Sequence, residues 1–379
     1  MDVKKLQHWL GTPVVECKIK DSSEDGGYLS DLHRILVKTK TGDVSLIVKT
    51  RKVEGKVADT LKESTMFRKE QQMYATTLPK VEDLLRKALP GKLEPLAPKC
   101  VYSCKCFLVM EDLSASGYKM LDRQKGLTLE QTMTAMRTIA RFHAASIALH
   151  EMDPDSMNEY QHNFHSEFSN TGTWNTCFQA MRDMLIEQLK MWPREQWSPY
   201  IEKLQNINFL QRVKRITQTQ DSDFNVLIHG DIWVNNLLFR EDTVMRIIDF
   251  QFVHFTSFAI ELHWFLNTSP KMEVRMNHLD SLIQEYHRTL CNTMQSLGCQ
   301  RKLISLEELY EEYHRKSLYG LFALSSAAAV MTSDPNRGFD LDEAMKGNTP
   351  GPGMYSDYYK QSVRWTFPVL EKMGAFDIK

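Results

Sequence analysis

The sequence predicts an α+β fold in two lobes: a small N-terminal lobe built from an antiparallel sheet plus a helix, and a larger, mainly helical C-terminal lobe. Three observations predict it. The chain has 379 residues, more than one ordinary domain. Strand and turn signals crowd into the first 112 residues, whereas helical periodicity dominates from Thr128 onward. Between the long helical stretches lies one short hairpin pattern, Val226 to Gln251, in which apolar runs enclose a polar loop.

In the first lobe, Glu24-Asp-Gly-Gly-Tyr-Leu-Ser30 reads as a turn and Leu32 to Lys38 as a strand. Thr41-Gly-Asp43 makes a hairpin turn, and Val44 to Lys49 returns as a second strand. A glycine-bearing hairpin can lay backbone N–H groups over an anion, which marks Gly26 and Gly27 as candidates, although no Gly-x-Gly-x-x-Gly is present. In Phe67-Arg-Lys-Glu-Gln-Gln-Met-Tyr74, positions 67, 70 and 74 share one helical face, so Glu70 sits among core-facing residues. A buried carboxylate is costly unless paired, and Lys49 is the natural counter-ion. The competing reading is an exposed Glu70 at the edge of that face. Cys106 to Leu113 is an apolar strand running into acids, and Ser114-Ala-Ser-Gly117 continues as linker. The boundary is placed there, giving lobes 1–112 and 113–379.

In the second lobe, Thr128 and Gln131 fit a capping box opening a long helix. Its buried stripe is Leu129, Met133, Met136, Ala140, His143 and Ile147. His143 reads as a hydrogen-bonded core histidine, with bracing of the polar loop as the alternative. Further helices are expected over Trp174–Trp192, ending at Pro193, and from Tyr200 to about Thr217. Phe255–Asn267, carrying Glu261, reads as helical, and the stripe Leu279 to Leu297 ends at Gly298. Ser305 to Glu308 caps a helix expected to run through Leu318 to Val330. The tail from Asp334 is rich in Pro, Gly and Asp and finishes with a short helix near Ser362–Met373. Aromatics and methionines of these helices are expected mostly in the core, some lining an acceptor pocket.

The hairpin carries the chemistry. Val226-Leu-Ile-His-Gly-Asp-Ile-Trp-Val-Asn-Asn-Leu-Leu-Phe239 places Asn236 five residues after Asp231, and Arg246-Ile-Ile-Asp-Phe-Gln251 ends a strand on Asp249. Protein kinases use an Asp, an Asn at +5 and a strand-borne Asp-Phe in this order. Phosphoryl transfer needs a carboxylate beside the attacking hydroxyl and oxygen ligands for Mg²⁺ on the phosphates. Asp231 is therefore the candidate base, and Asn236 and Asp249 the candidate metal ligands, a set small enough for a cation that keeps several waters. A hairpin with chance polar residues is the competing reading, and the full set makes it improbable. Ile47-Val-Lys49 is similar to the strand lysine that pairs the α- and β-phosphates, with Glu70 as its helix partner.

Bulk properties exclude several classes. Apolar residues at 42% and charged residues at 25% are those of a folded soluble protein. A net charge of −1 offers nothing to nucleic acid or an anionic membrane. There is neither a signal-peptide core nor an apolar run long enough to span a bilayer. Seven scattered cysteines suit reduced thiols, so a cytoplasmic location is expected. Cys100, Cys104 and Cys106 have no usual zinc spacing and read as strand residues. The single Asn267-Thr-Ser sequon reads as chance.

The chain resembles the ecdysteroid kinase-like family, related to choline kinases and aminoglycoside phosphotransferases, over nearly its whole length. The resemblance rests on Lys49, Phe67-x-x-Glu70-x-x-x-Tyr74, Val109-Met-Glu-Asp-Leu113, Ala140 to Ser146, His229 to Asn236 and Ile248 to Gln251, with Trp233 and Gln251 as its distinguishing residues. It implies a protein-kinase-like fold and cytosolic, ATP- and Mg²⁺-dependent transfer to a hydroxyl of a small molecule, with ecdysteroids one acceptor class and xenobiotics another. It also implies that the backbone of Glu111 and Leu113 meets adenine. Choline- or aminoglycoside-type acceptors and a non-catalytic binding module are the rivals. Two departures stand out. Glu261-Leu262 replaces the family's usual Asp-Leu pair, and the glycine loop is degenerate and preceded by Glu24 and Asp25.

Overall fold

The computed structural model of the chain describes residues 3–21, 29–54, 58–59, 64–91, 93–168, 172–332, 343, 346 and 356–377. Glu24, Asp25, Gly26 and Gly27 lie outside these residues, as does the start of the tail at Asp334.

Alternation builds the first sheet. Strands β1 (Val14–Asp21), β2 (Ser30–Thr39), β3 (Gly42–Arg51), β4 (Cys100–Cys104) and β5 (Phe107–Glu111) form an antiparallel sheet in the order β1-β2-β3-β5-β4. One face buries Ile35, Val37, Leu46, Val48 and Val109 against Leu6 of the N-terminal helix Val3–Leu10. Because side chains alternate along a strand, Lys49 faces the other side, toward the C-terminal lobe. The short helix and β1 gave no separate signal in the sequence.

The helix carrying Glu70 runs over Met66–Gln72, widens into a π turn at Met73–Thr77, and resumes as Leu78–Ala88. Pro79 has no N–H to give the preceding turn, and the wider π turn absorbs the missing bond. Phe67, Glu70 and Tyr74 are all buried, as their common face predicts.

In the second lobe, Thr128 closes both arms of its capping box and the helix runs Leu129–Met152. Met136, Ala140, His143 and Ile147 are buried, while Leu129 and Met133 are only partly covered. Phe142, Ala144 and Ala145 are buried as well, because the helix packs against Leu78–Ala88 and Met272–Leu297 and against strand β7 (Asn225–Ile228). Strands β8 (Leu237–Glu241) and β9 (Val244–Ile247) form the hairpin expected after the polar loop and pair with the two-residue β6 (Lys119–Met120).

Four expected helices differ. The stretch from Tyr200 to Thr217 belongs to two, Arg194–Asn206 and Phe209–Thr217, separated by Ile207 in extended conformation. Phe255 does not begin a helix: His254–Ser257 is strand β10, paired antiparallel with β7, and the helix is Phe258–Thr268. The single helix expected after Ser305 is three, Leu306–Arg315, Leu318–Ser325 and Ala327–Met331. It breaks where the Lys316 ammonium turns inward to Asp223 at 2.5 Å. The last helix spans Asp357–Lys372, longer than expected. The long helix ending at Gly298, with the glycine at φ +70°, is as predicted at its C-terminus. Asn267 is buried and donates to the His263 carbonyl at 2.7 Å.

Candidate active site

β7 is buried along its whole length and delivers His229 into the space between the lobes. Gly230 follows at φ +82°, and a Cβ there would stand 2.3 Å from the Phe252 carbonyl oxygen, so only glycine fits. His229 donates through Nε2 to the Ile248 carbonyl at 2.9 Å and accepts the Asp231 N–H on Nδ1 at 3.2 Å. The ring is thus fixed as a neutral tautomer, and burial lowers its affinity for a proton.

Glu261 holds the loop from below. Its two oxygens accept the His229 and Gly230 N–H groups, both at 2.9 Å, and His143 Nε2 donates to it at 3.0 Å. Tyr286 braces the other ring nitrogen of His143 at 2.8 Å. Burial alone would raise the Glu261 carboxyl, but the His143 hydrogen bond and the facing charges and amides hold it below the usual range. The extra methylene relative to aspartate is therefore accommodated with every donor satisfied. His143 is both a core histidine and a brace of the loop, joining the two alternatives.

Asn236 Nδ2 donates to the Asp231 carbonyl at 2.8 Å and to its Oδ2 at 3.1 Å. Asp249 is the only non-glycine with positive φ among the described residues, at +69°, a strained conformation of the kind found where function fixes a side chain. Its Oδ1 meets Lys49 Nζ at 2.6 Å, and Lys49 also reaches Glu70 Oε1 at 2.7 Å. Lys49 and Glu70 are 3% and 1% exposed, so the exposed-edge reading of Glu70 is excluded. Burial and the facing Asp249 carboxylate raise Asp231 well above its ordinary value. Burial also pushes Glu70 up to about 7, with Lys49 opposing and Asp249 adding to it. Burial disfavours the Lys49 ammonium, but Asp249 and Glu70 more than compensate. Glu70 and Asp249 both face the one ammonium of Lys49, and the Asp231 carboxyl lies near Asp249, so this centre is short of positive charge.

Glu111 ends β5, with its N–H on the Lys99 carbonyl at 2.9 Å and its carboxylate on Arg246 at 2.8 Å. Leu113 opens the next turn, is buried, and its carbonyl accepts the Tyr118 N–H at 3.1 Å. The predicted residues other than Gly26 and Gly27 thus fall into one cluster (Lys49, Glu70, Asp231, Asn236, Asp249) and one inter-lobe segment (Glu111, Leu113).

Beside Asp231 opens a cavity of about 310 Å³, at the small end of ligand pockets. Asp231, Asn236 and Asp249 form one side. Phe164, Trp174, Phe178, Trp264, Tyr319 and Phe322 give the rest an aromatic character, with His165 and His254 among them. Among the described residues, Asp231 and Asp249 are the only acids in its lining. The sequence offered no address for these wall residues. Their aromatic character read as core, and nothing in the spacing brings five separate segments together.

A lysine–glutamate pair between sheet and helix, facing an Asp–Asn loop and an Asp just past the end of β9 across two lobes, defines a kinase-like protein. The chain belongs to the ecdysteroid kinase-like family, whose sequence model matches residues 24–299. The fold is similar to that of a choline kinase from Cryptosporidium parvum, with a TM-score of 0.52 and 10% identity over 95% of this chain and 91% of that one. A spectinomycin phosphotransferase solved with ADP and spectinomycin gives a TM-score of 0.48 at 11% identity, over 97% and 99% of the two chains. A Plasmodium vivax ethanolamine kinase gives 0.43 at 12%, over 94% and 84%. No curated protein matches the sequence. Among the described residues, no helix is long and apolar enough to cross a membrane.

Proposed function

We propose that the protein is an ATP-dependent small-molecule O-kinase that transfers the γ-phosphate to a hydroxyl of an apolar acceptor, an ecdysteroid or a xenobiotic. The observation that carries this reading is the aromatic cavity opening directly onto Asp231. Asp231 takes the proton of the acceptor hydroxyl as its oxygen bonds to phosphorus and the bond to the ADP oxygen breaks. Its raised proton affinity suits a base. Lys49, steadied by Glu70, turns from Asp249 to the phosphates when nucleotide enters. The Glu111–Leu113 backbone meets adenine where lobe 1–112 passes into lobe 113–379.

Asn236 and Asp249 suit Mg²⁺. The Asn236 amide nitrogen is committed to Asp231, which leaves its carbonyl oxygen for a hard cation, and the excess of carboxylates favours positive charge there. When bound, the ion neutralises charge on the transferring phosphate. The seven cysteines are free thiols, which supports work in the reducing cytoplasm.

The wall argues against a multiply cationic aminoglycoside, which would find no carboxylate beyond the two catalytic ones. A choline-like cation could use the aromatic faces and is the second reading. Incubation with Mg²⁺–ATP and separate panels of hydroxylated steroids, phenols, choline and aminoglycosides, with mass detection of phosphate gain, tests all of these. Products among steroids or phenols are expected. Products only among amines would replace the proposal, and none with any acceptor would favour a binding module.

A further inference from the structure

The cavity wall holds a buried hydrogen-bonding atom that the phosphoryl chemistry does not use. His254 lies on β10, is 4% exposed and lines the cavity beside Asp231. Its Nδ1 lies 3.0 Å from the Phe252 carbonyl oxygen. A carbonyl only accepts, so Nδ1 carries the proton and Nε2 presents a lone pair. That Nε2 has no hydrogen-bond partner. Native structures rarely leave such an atom buried and unpaired unless something else completes it.

Among the described residues the surroundings give no internal candidate. His165, the neighbouring imidazole, reaches the Tyr319 hydroxyl at 3.4 Å. Lys69, close enough to be felt electrostatically by His254, has its ammonium on the His162 carbonyl. Trp264 stands beside Asp231, and its indole N–H is engaged toward that carboxyl. Among the described residues, the cavity wall thus presents His254 Nε2 as an acceptor with no partner in the protein.

We infer that His254 is a specificity residue: its Nε2 accepts a hydrogen bond from a second hydroxyl or N–H of the acceptor, apart from the hydroxyl that Asp231 activates. The inference rests on the small-molecule kinase reading and narrows it. The acceptor class becomes rigid, largely apolar molecules with at least two hydrogen-bonding oxygens, rather than simple monohydroxylic alcohols or phenols. A pocket built to pair a polar group discriminates strongly against the analogue that lacks it, because the protein atom is then left buried and unsatisfied.

The test uses the full-length protein with Mg²⁺–ATP and matched acceptor pairs, each a polyhydroxylated steroid or bisphenol beside its analogue lacking one distal hydroxyl. The parent should prefer the fuller acceptor by about 10- to 100-fold in kcat/KM, the share of one buried hydrogen-bonding group. His254→Asn keeps a donor for the Phe252 carbonyl but removes the acceptor atom, and should bring that ratio close to one, mainly through KM. His254→Gln restores a carbonyl oxygen near the Nε2 position and should recover part of the preference. Melting temperatures of both variants identify a mere folding defect. If the parent turns over the acceptors but shows no preference in any pair, or if His254→Asn keeps the full preference while folded, the inference fails and the kinase reading stands. If the parent phosphorylates no steroid or phenol, both fail.

Discussion

The catalytic loop and the acceptor cavity share a border at Asp231 but differ in how they are encoded. The loop's residues lie within 21 positions of one another, from His229 to Asp249. Each is fixed by a neighbour in sequence or by the paired strands: Gly230 by the Phe252 carbonyl, Asn236 by Asp231, His229 by Ile248. The aromatic cavity wall comes from four helices and a strand, and its members touch only after the C-terminal lobe has folded. Spacing can specify the first kind of site. The second depends on tertiary packing, which no local pattern records.

This contrast predicts that loop substitutions damage turnover with every acceptor alike, whereas wall substitutions change which acceptor is used. The largest effect is expected from Asp231→Asn, a fall in kcat of about 10²–10⁴-fold, the usual share of a general base. Nucleotide affinity, measured by titration calorimetry, should be nearly intact. Equal turnover of parent and variant would remove Asp231 from the chemistry.

Glu261→Ala comes next, because it strips the acceptor from two backbone N–H groups and from His143 Nε2 at once. Losing one member of a buried polar network costs about 3–5 kcal/mol. Urea unfolding should show that loss, and activity should fall with all acceptors together. Glu261→Asp, the residue usual in the family, should retain most of both, since the carboxylate survives.

Acid should separate the regions more gently. Burial pushes His254 and His263 down to about 4, from an ordinary 6.5. A lowered value means that the unfolded chain takes up the proton first. Stability is therefore whole above pH 6.5 and falls as pH drops toward 4, by about 1.4 kcal/mol per histidine for each unit. Denaturation midpoints between pH 7.5 and 5 measure the slope. His254→Gln should flatten it by roughly one histidine's share; an unchanged slope would mean that His254 is already charged in the folded protein.

How much was legible follows the same division. Lys49, Glu70, Asp231, Asn236 and Asp249 were readable because a pairing argument or a fixed spacing tied each to a partner. Glu261 was readable only as a departure, and its fit became clear once both its oxygens were seen on the loop amides. The wall was not: Phe178 sits on an amphipathic helix like any core aromatic, and His254 fell inside a stretch read as leading straight into a helix. The helix breaks at Ile207 and Lys316 were missed because apolar periodicity continues across them.

Phe178→Ala probes the wall without touching the loop. The ring is only partly buried and faces the cavity, so its loss should raise KM for an apolar acceptor roughly 5- to 20-fold, the value of about one to two kcal/mol of apolar contact. KM for ATP should stay put. A parallel rise in both would mean that wall and loop are one mechanical unit.

The wall also meets the helix that holds Glu70, and the smallest effect is expected at that seam. The helix Phe164–Phe168 carries Phe164 and His165 of the wall. Its Glu167 accepts the Thr65 N–H at 2.6 Å and the Thr65 hydroxyl at 2.9 Å, at the start of the helix that holds Glu70. A negative charge at a helix N-terminus contributes about 0.3–1 kcal/mol, so Glu167→Gln should lower the melting temperature by only about 1–4 °C. If the seam transmits position, KM for ATP should also rise, by no more than about threefold, since little more free energy than that is available to shift the helix. A larger rise, with the melting temperature unchanged, would show that Glu167 positions the nucleotide site rather than merely capping a helix, and the division between a locally encoded loop and a packed wall would then have to be redrawn around the contact between Thr65 and Glu167.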